Sequence, residues 1–203
     1  MKIKNVVFDV GDVLIHFRYK EYMRDLGFNE YLVEHFTNNV VFSDCWNQMD
    51  MGNVTIEGAK QVFSEKFPEY KKEVELFCKD LTPIVEEYDY AKGLIKSIKE
   101  TGVNVYILSN YPRDLSEMHW PKFKFLSETD GKIISGFEHI MKPDPRIYKL
   151  LESRFGIKLE ESVFVDDREG NVKGAEAVGM KGIVFTGVDN LKNELRKLGI
   201  DVK

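Results

Sequence analysis

Short apolar runs separated by amphipathic segments dominate the chain after about residue 90. The runs 104–108, 162–165 and 181–185 are largely apolar, which is typical of strands buried on both faces of a parallel sheet. Helical patterns of about ten residues lie between them, and several end at a glycine. A further apolar run, 6–8, lies near the start of the chain. This alternation predicts an α/β fold with a doubly wound, Rossmann-like parallel sheet and right-handed crossovers.

Residues 17–89 follow a different pattern, with many charged and aromatic residues at helical spacing. Between His16 and Tyr90 we expect no buried strand. Helices are predicted at residues 19–26, 31–38, 55–67 and 70–79. The aromatic residues expected to form the core of this segment are Phe36, Phe42, Trp46, Phe63 and Phe67. The pattern predicts two domains, an α/β core made of residues 1–16 and 90–203, and a small all-helical cap, residues 17–89, inserted after the first strand.

Composition excludes some functional classes. A chain of 203 residues, 43% hydrophobic and 31% charged, suits one core with a modest added lobe. The net charge of −5 argues against a nucleic-acid partner, because phosphate neutralisation needs a basic surface. No apolar run approaches the roughly 20 residues that span a bilayer, so we expect no membrane partner. The two cysteines suggest no disulfide framework, and we expect a cytoplasmic protein. The oligomeric state is left open.

Polar side chains follow three of the predicted strands, at the point where each strand ends. Asp9 follows the first run, Ser109 and Asn110 follow the second, and Asp166 and Asp167 follow the third. Each alone has an ordinary interpretation as a turn or a helix cap. The carboxyl ends of parallel strands meet at one edge of a sheet, where α/β proteins bind ligands. Their joint occurrence therefore favours a functional site at this edge.

A lysine completes this set. Lys142 precedes a loop stiffened by Pro143 and Pro145, so its position is expected to be fixed. The combination suits phosphoryl transfer, with Asp9 attacking phosphorus while Lys142 holds phosphoryl oxygens. An anionic nucleophile and a phosphate dianion repel each other unless cations intervene. Carboxylate oxygens are ligands that Mg²⁺ prefers, so Asp166 and Asp167 would bind this cofactor.

Four motifs in this order resemble the haloacid dehalogenase-like hydrolase superfamily. The resemblance is strongest to the helical-cap branch that includes bacterial glucose-1-phosphatase-like proteins and the amino-terminal phosphatase domain of soluble epoxide hydrolases. The matching stretches are 8–14, 108–110, 142–148 and 164–167, with Asn171, Gly174 and Ala175 behind the last. In the cap, Trp46 and residues 51–55 also resemble this branch.

The resemblance implies a role for each site residue. Asp9 would be the catalytic nucleophile, and Lys142 would neutralise the phosphate beside it. The implied phosphate-binding residues are Ser109, Asn110 and Lys142. The implied metal ligands are Asp9, the backbone carbonyl of Gly11, Asp167 directly, and Asp166 directly or through water.

Gly11 departs from the family pattern, because most phosphatases of the superfamily carry a second aspartate there. That aspartate protonates the leaving group and later activates water, and a glycine does neither. Such acid–base help is worth about a hundred- to ten-thousandfold in rate. Asp12, the next residue, either takes over this role or forms a hydrogen bond within the turn.

The sequence therefore predicts a Mg²⁺-dependent phosphatase that hydrolyses a small phosphorylated metabolite through an aspartyl-phosphate on Asp9. Sugar phosphates are among the candidate substrates. A metal-free dehalogenase is one alternative, although it would leave the charges of Asp166 and Asp167 unbalanced. The other is a catalytically weak phosphate-binding or regulatory protein, which the glycine at position 11 permits.

Overall fold

A central sheet of five parallel strands forms the core of the protein, whose computed structural model describes residues 2–202. Residues 1 and 203, the ends of the predicted core domain, lie outside the described residues. The strands are β1 (Asn5–Phe8), β2 (Ile15–Phe17), β3 (Val85–Glu87), β4 (Asn104–Ser109), β5 (Gly131–Ile134), β6 (Ser162–Asp166) and β7 (Lys181–Val184). The large sheet has the order β5-β4-β1-β6-β7, with every neighbouring pair parallel. The predicted doubly wound α/β fold is confirmed.

Helices occupy most of the remaining chain. They are α1 (Tyr19–Asp25), α2 (Glu30–Phe36), α3 (Asp44–Asp50), α4 (Ile56–Lys66), α5 (Lys71–Lys79), α6 (Ala91–Lys99), α7 (Arg113–His119), α8 (Ser135–Glu138), α9 (Pro145–Phe155), α10 (Glu169–Glu176) and α11 (Val188–Lys197). A π-helical turn, Thr37–Val41, follows α2. Short 3-10 turns lie at Pro68–Tyr70, Thr82–Ile84, Trp120–Lys122, Lys124–Glu128 and Leu159–Glu161. No helix within residues 2–202 combines the length and the apolar character that crossing a bilayer requires.

The register of the sheet brings the predicted strand ends together. Phe8 in β1 pairs with Ile107 in β4 on one side and with Val165 in β6 on the other. The residues that follow these positions, Asp9 and Asp166 among them, therefore lie side by side at one edge. The backbone N–H of Asp9 donates to the carbonyl of Val165 at 2.9 Å, which continues the ladder into the site.

The two faces of the sheet are covered by different helices. On one face, residues of α6 such as Ile95 pack in a cluster that also contains Val6 and Phe8 of the first strand. This cluster continues into the helical segment through buried side chains such as Phe36 and Phe77. The opposite face buries a second cluster, whose members include Tyr148 of α9. The five helices between β2 and β3 therefore share one core with the sheet.

The prediction that residues 17–89 are all-helical is wrong at the two ends of the segment. β2 and β3 form a small antiparallel pair, with Ile15 opposite Glu87 and Phe17 opposite Val85. Each strand has only three residues, too few to show a periodic pattern, and both are partly exposed. This pair brings the entry and exit of the helical segment together directly after β1, beside the strand ends of the large sheet.

Candidate active site

A buried lysine lies at the centre of the sheet edge. Lys142 is 1% exposed, and its Nζ lies 2.8 Å from Asp9 Oδ1 and 2.7 Å from Asp166 Oδ2. Asn110 fixes the lysine backbone on both sides. Its Oδ1 accepts from Lys142 N at 2.8 Å, and its Nδ2 donates to Lys142 O at 3.0 Å. The structure thus brings together the ends of β1, β4 and β6 around one ammonium group.

The charged groups in this cluster shift one another's pKa. Burial raises the pKa of Asp9 to about 7, with Asp166 adding to the rise and Lys142 opposing it. Burial alone would lower the pKa of Lys142, but the two carboxylates hold it above its ordinary value. The lysine therefore stays charged. Two carboxylates against one ammonium leave an excess of negative charge, which a second cation would offset.

The carboxylates of Asp9, Asp166 and Asp167 offer oxygen atoms that lie within 4.8 Å of one another. Asp167 is exposed, lines the cavity described below, and makes no hydrogen bond within residues 2–202. Partial loss of water around its carboxylate, together with the charges of Asp166 and Asp12, raises the pKa of Asp167 to about 6. Three hard oxygen donors with excess negative charge fit a divalent cation such as Mg²⁺.

Asp166 differs from its neighbour because its own oxygens are fully hydrogen-bonded. Oδ1 accepts from the backbone N–H of Arg168 at 2.8 Å, and Asn171 Nδ2 lies 3.0 Å from both oxygens. With the contact to Lys142, three donor groups surround this fully buried carboxylate. The geometry gives Asp166 the role of holding Lys142 and Asn171, and leaves Asp167 freer to bind a metal. The predicted contact between Asp166 and the metal stays a prediction.

The two predicted phosphate-binding residues of the second strand have different surroundings. Ser109 is buried, and its Oγ has no hydrogen-bond partner within the described residues. An unpaired buried hydroxyl costs free energy, which a bound anion would recover. Both polar atoms of the Asn110 side chain are used by the backbone of Lys142. That side chain therefore positions the lysine, and its predicted contact with phosphate remains a prediction.

Gly11 and Asp12 lie on the rim of the site. A Cβ placed on Gly11 would meet no heavy atom within 4 Å. Asp12 has a left-handed backbone, φ 51°, and its Oδ1 accepts from the N–H of Phe17 at 3.0 Å. The same oxygen lies 3.6 Å from Nδ1 of His16. Of the two roles considered for Asp12, the hydrogen bond within the turn is present.

A cavity of about 450 Å³ opens from this edge toward the helical segment. Its polar end is formed by Asp9, Lys142 and Asp167. The apolar and aromatic residues along the rest of its wall are Ile15, Phe17, Tyr19, Val41, Phe42, Trp46, Ile84, Val85, Tyr111, Pro112 and Leu115. The expected core role of Phe42 is wrong, because its side chain is 60% exposed. The helical segment therefore supplies much of the lining of the cavity.

Four rings form a continuous row on this wall. The centroid of Phe17 lies 6.0 Å from that of Trp46 and 5.0 Å from that of Tyr19, and Tyr19 lies 5.6 Å from Phe42. We name this set, Phe17, Tyr19, Phe42 and Trp46, the aromatic wall. Helical spacing in the sequence does not distinguish these rings from aromatic residues of the core. Phe42, for example, is exposed only because of the turn that follows α2.

Asp50 is a cavity residue that the sequence did not reveal. It is the last residue of α3, and its side chain makes no hydrogen bond within residues 2–202. Burial raises the pKa of its carboxyl to about 7, Arg168 opposes that rise, and Asp9 adds to it. The sequence held one signal for Asp50, because an acidic side chain at the carboxyl terminus of a helix interacts unfavourably with the helix dipole. Such a placement suggests a role other than helix stability.

The fold and the site define a class of protein, an α/β enzyme with a buried carboxylate–lysine centre at the carboxyl edge of its sheet and an inserted helical segment over it. The family model described as haloacid dehalogenase-like hydrolase matches residues 3–179, and the chain belongs to that family. The resemblance seen in the sequence motifs, and the prediction of a hydrolase, are confirmed.

Phosphatases are among the relatives of this chain. The sesquiterpene phosphatase AstK of Aspergillus oryzae is 27% identical over 205 residues, which cover 96% of each protein. Flavin mononucleotide hydrolase 1 of Arabidopsis thaliana, a chloroplast protein, is 32% identical over 120 residues. That match covers 57% of this chain and 48% of the plant protein, so the chain matches about half of its length.

Solved structures share the fold. The enzyme BT-2542 of Bacteroides thetaiotaomicron, of the same family, superimposes with a TM-score of 0.74 at 22% identity, covering 97% of this chain and all of that chain. A variant of that enzyme was crystallised with magnesium and inorganic phosphate, and superimposes with a TM-score of 0.64 at 24% identity over 89% and 93% of the two chains.

Proposed function

We propose that the protein is a Mg²⁺-dependent phosphomonoesterase that forms an aspartyl-phosphate on Asp9. The observation that carries this proposal is the buried Asp9–Lys142–Asp166 cluster, with Asp167 beside it, at the polar end of the cavity. One carboxylate has access to the cavity, one ammonium is held beside it, and a further carboxylate is free to bind a cation. Phosphatases among the relatives and the magnesium phosphate complex of the Bacteroides enzyme support it.

Each residue would have a defined task in this reaction. Asp9 attacks phosphorus and becomes phosphorylated, which divides the hydrolysis into two displacements. Lys142 and the unpaired hydroxyl of Ser109 hold the phosphoryl oxygens. Asp9, Asp167, the carbonyl of Gly11 and Asp166, directly or through water, would hold Mg²⁺. When bound, this ion offsets the repulsion between nucleophile and phosphate and stabilises the charge of the transition state.

Residues 17–89 would act as a cap domain over this site. Their aromatic side chains form the wall opposite the catalytic edge, and β2 and β3 anchor both ends of the segment beside β1. Covering the reacting groups excludes bulk water and strengthens the electrostatic interactions in the site.

We further propose that the organic group of the substrate is apolar or aromatic. The aromatic wall offers ring faces and edges, whereas the hydroxyls of a sugar phosphate would need hydrogen-bonding partners in place of water. Two relatives act on phosphates with large apolar or aromatic groups, a sesquiterpene phosphatase and a flavin mononucleotide hydrolase. Sugar phosphates, included in the broader prediction from sequence, fit this wall less well.

The test is release of inorganic phosphate from four monoesters, measured with Mg²⁺ and with EDTA. Suitable esters are p-nitrophenyl phosphate, farnesyl phosphate, flavin mononucleotide and glucose 1-phosphate. We expect Mg²⁺-dependent turnover that Asp9→Asn abolishes. The kcat/KM for farnesyl phosphate or the flavin ester should exceed that for glucose 1-phosphate by about tenfold or more, since the aromatic wall contributes binding energy only to the apolar esters.

Other results would identify the alternatives. Halide release from 2-chloropropionate without metal would indicate a dehalogenase and contradict the proposal. Binding of inorganic phosphate without turnover of any ester would indicate a regulatory phosphate-binding protein. Equal or greater activity on glucose 1-phosphate would retain the phosphatase but reject the apolar substrate class.

A further inference from the structure

The proposed reaction lacks a proton donor at the position where the family pattern places one. Gly11 has no side chain, and the Asp12 carboxylate accepts from the N–H of Phe17 in the turn. An alkoxide is a poor leaving group, so breaking its bond to phosphorus requires a proton in the transition state. Some other group on the cavity wall must supply that proton if alkyl phosphates are substrates.

Asp50 lies where a proton donor for the leaving group is needed, on the wall of the cavity. Asp50 lines the same cavity as Asp9, Lys142 and Gly11, and its carboxyl interacts electrostatically with Asp9 and Lys142. It is the acidic residue that the helical segment contributes to the lining of the cavity. The side chain of Asp50 makes neither a hydrogen bond nor an ion pair within residues 2–202, so no such bond explains an acidic group at the end of α3.

The backbone of Asp50 is fixed to the core next to the residues that follow β4. The hydroxyl of Ser135 donates to the carbonyl of Asp50 and accepts from the backbone N–H of Tyr111 at 2.9 Å. Tyr111 directly follows Ser109 and Asn110. A close backbone contact secures the same junction, because a Cβ on Gly52 would lie 2.1 Å from the carbonyl oxygen of Gly136. Asp50 thus has a rigid attachment at the wall of the cavity.

We propose that Asp50 is the general acid and base of this enzyme, replacing the carboxylate that position 11 lacks; the proposal rests on the proposed phosphatase function. In the first step Asp9 attacks phosphorus, the bond to the ester oxygen breaks, and Asp50 gives its proton to the departing alkoxide, which leaves as the alcohol. In the second step the Asp50 carboxylate takes a proton from water as that water attacks phosphorus. The bond to Asp9 then breaks, inorganic phosphate leaves, and Asp50 is protonated again.

The surroundings of Asp50 suit both directions of transfer. Burial raises the pKa of Asp50 to about 7, Arg168 and Lys142 oppose the rise, and Asp9 adds to it. A group with a pKa near the working pH is present in both protonation states, as a residue that alternates between acid and base must be.

Asp50→Asn tests this role, because it keeps the size of the side chain and removes the proton. Two substrates distinguish acid catalysis from general damage: farnesyl phosphate, with a strongly basic alkoxide leaving group, and p-nitrophenyl phosphate, whose phenolate leaves without a proton. We expect kcat for farnesyl phosphate to fall about a hundred- to ten-thousandfold. With p-nitrophenyl phosphate the first step should persist as a burst of phenolate close to the enzyme concentration, followed by slow turnover while aspartyl-phosphate accumulates.

A second substitution provides rescue. Because the space beside Gly11 is open, Gly11→Asp should restore turnover of farnesyl phosphate in the Asp50→Asn protein by about tenfold or more. Asp44→Asn, the same chemical change at an exposed position in the first turn of α3, is the matched control and should leave turnover and the burst unchanged.

The possible failures are distinguishable. If the unaltered protein hydrolyses no monoester with Mg²⁺, the proposed function itself is wrong, and Asp50 has no such role. If it is active but Asp50→Asn slows both substrates equally with no burst, or leaves farnesyl phosphate turnover unchanged, the acid–base role alone is rejected. Should Asp50→Asn unfold, Asp50→Glu gives the same decision, since a retained carboxyl should preserve a measurable part of the farnesyl phosphate activity.

Discussion

Different interactions hold together the two ends of the cavity, the sheet edge and the aromatic wall. At the sheet edge, Asp9, Lys142 and Asp166 are nearly or completely buried and are held by contacts of 2.7–2.8 Å. At the opposite end, rings such as Tyr19 and Phe42 contact one another edge to face and remain partly exposed. Directional hydrogen bonds fix one geometry, whereas ring contacts tolerate several shapes. The comparison suggests that the edge performs the chemistry and the aromatic wall selects the organic group.

The largest expected effect follows removal of the buried cation. Lys142→Met would leave Asp9 and Asp166 buried together with no counter-ion, and the two carboxylates would repel each other. Breaking such a pair costs about 3–5 kcal/mol, so the free energy of unfolding should fall by about that amount. Urea denaturation measured at pH 7 would show the loss.

Arg146→Met is the matched control for that experiment. It also removes a cation, in this case from an ion pair of 2.7 Å with Asp144 on an exposed surface. Solvent screens this pair, so no measurable loss of stability is expected. An equal loss in the two variants would contradict the distinction between the sheet edge and the protein surface.

Magnesium should stabilise the folded protein, because the carboxylates that would bind it are assembled only after folding. At a Mg²⁺ concentration of 100 times Kd, linkage predicts about 2.7 kcal/mol, or roughly 5–10 °C in the thermal midpoint. Differential scanning calorimetry with and without Mg²⁺ measures this shift. Asp167→Asn should remove most of it, and an undiminished shift would exclude Asp167 as a ligand.

The same variant should change the pH dependence of the metal-free protein. The pKa of Asp167 is raised from its ordinary value, 3.8, to about 6 by partial desolvation and by the neighbouring acids. A carboxyl whose folded pKa is raised favours the folded state at low pH and loses that contribution as pH rises through about 6. The stability of Asp167→Asn relative to the unaltered protein should therefore increase between pH 4 and pH 7, and a decrease would contradict the raised pKa.

A smaller effect is expected from shortening the aromatic wall. Phe42→Ala removes an exposed ring, so the fold should be unaffected, while the apolar group of the substrate loses one contact. The KM for farnesyl phosphate should rise roughly two- to tenfold with little change in kcat, since such a contact is worth about 0.5–1.5 kcal/mol. The KM for methyl phosphate, which cannot reach the wall, should not change. A rise for both esters would show that Phe42 acts on the phosphate end instead.

The smallest effect on stability and turnover is expected at Asp12, on the rim of the site. Asp12→Asn keeps an oxygen that can accept from the N–H of Phe17, and asparagine tolerates the left-handed backbone at this position. Stability should change by less than about 0.5 kcal/mol, and turnover of farnesyl phosphate by less than about threefold. A loss as large as that expected for Asp50→Asn would assign the proton transfer to Asp12.

Much of the sheet edge could be predicted from single residues in the sequence. Asp9 and Asp166 end buried apolar runs, and the rule that parallel strands end at one edge places them together. The expectation that Lys142 is held in place also agrees with its burial. The short pair β2 and β3 could not be predicted, because three partly exposed residues carry no periodic signal. The hydrogen bonds of Asn110 to Lys142 could not be predicted either, since they join loops 32 residues apart.

The order of strands and helices, the parallel sheet and the polar residues at the strand ends could all be predicted from the amino-acid sequence. These features follow from local periodicity and from the geometry that all parallel strands share. Only the tertiary structure placed Asp50 and the aromatic wall in the cavity and joined Asp12 to its own turn. The reason is physical: which side of a helix meets a cavity depends on how distant segments pack, and that packing is set by the whole core rather than by neighbouring residues.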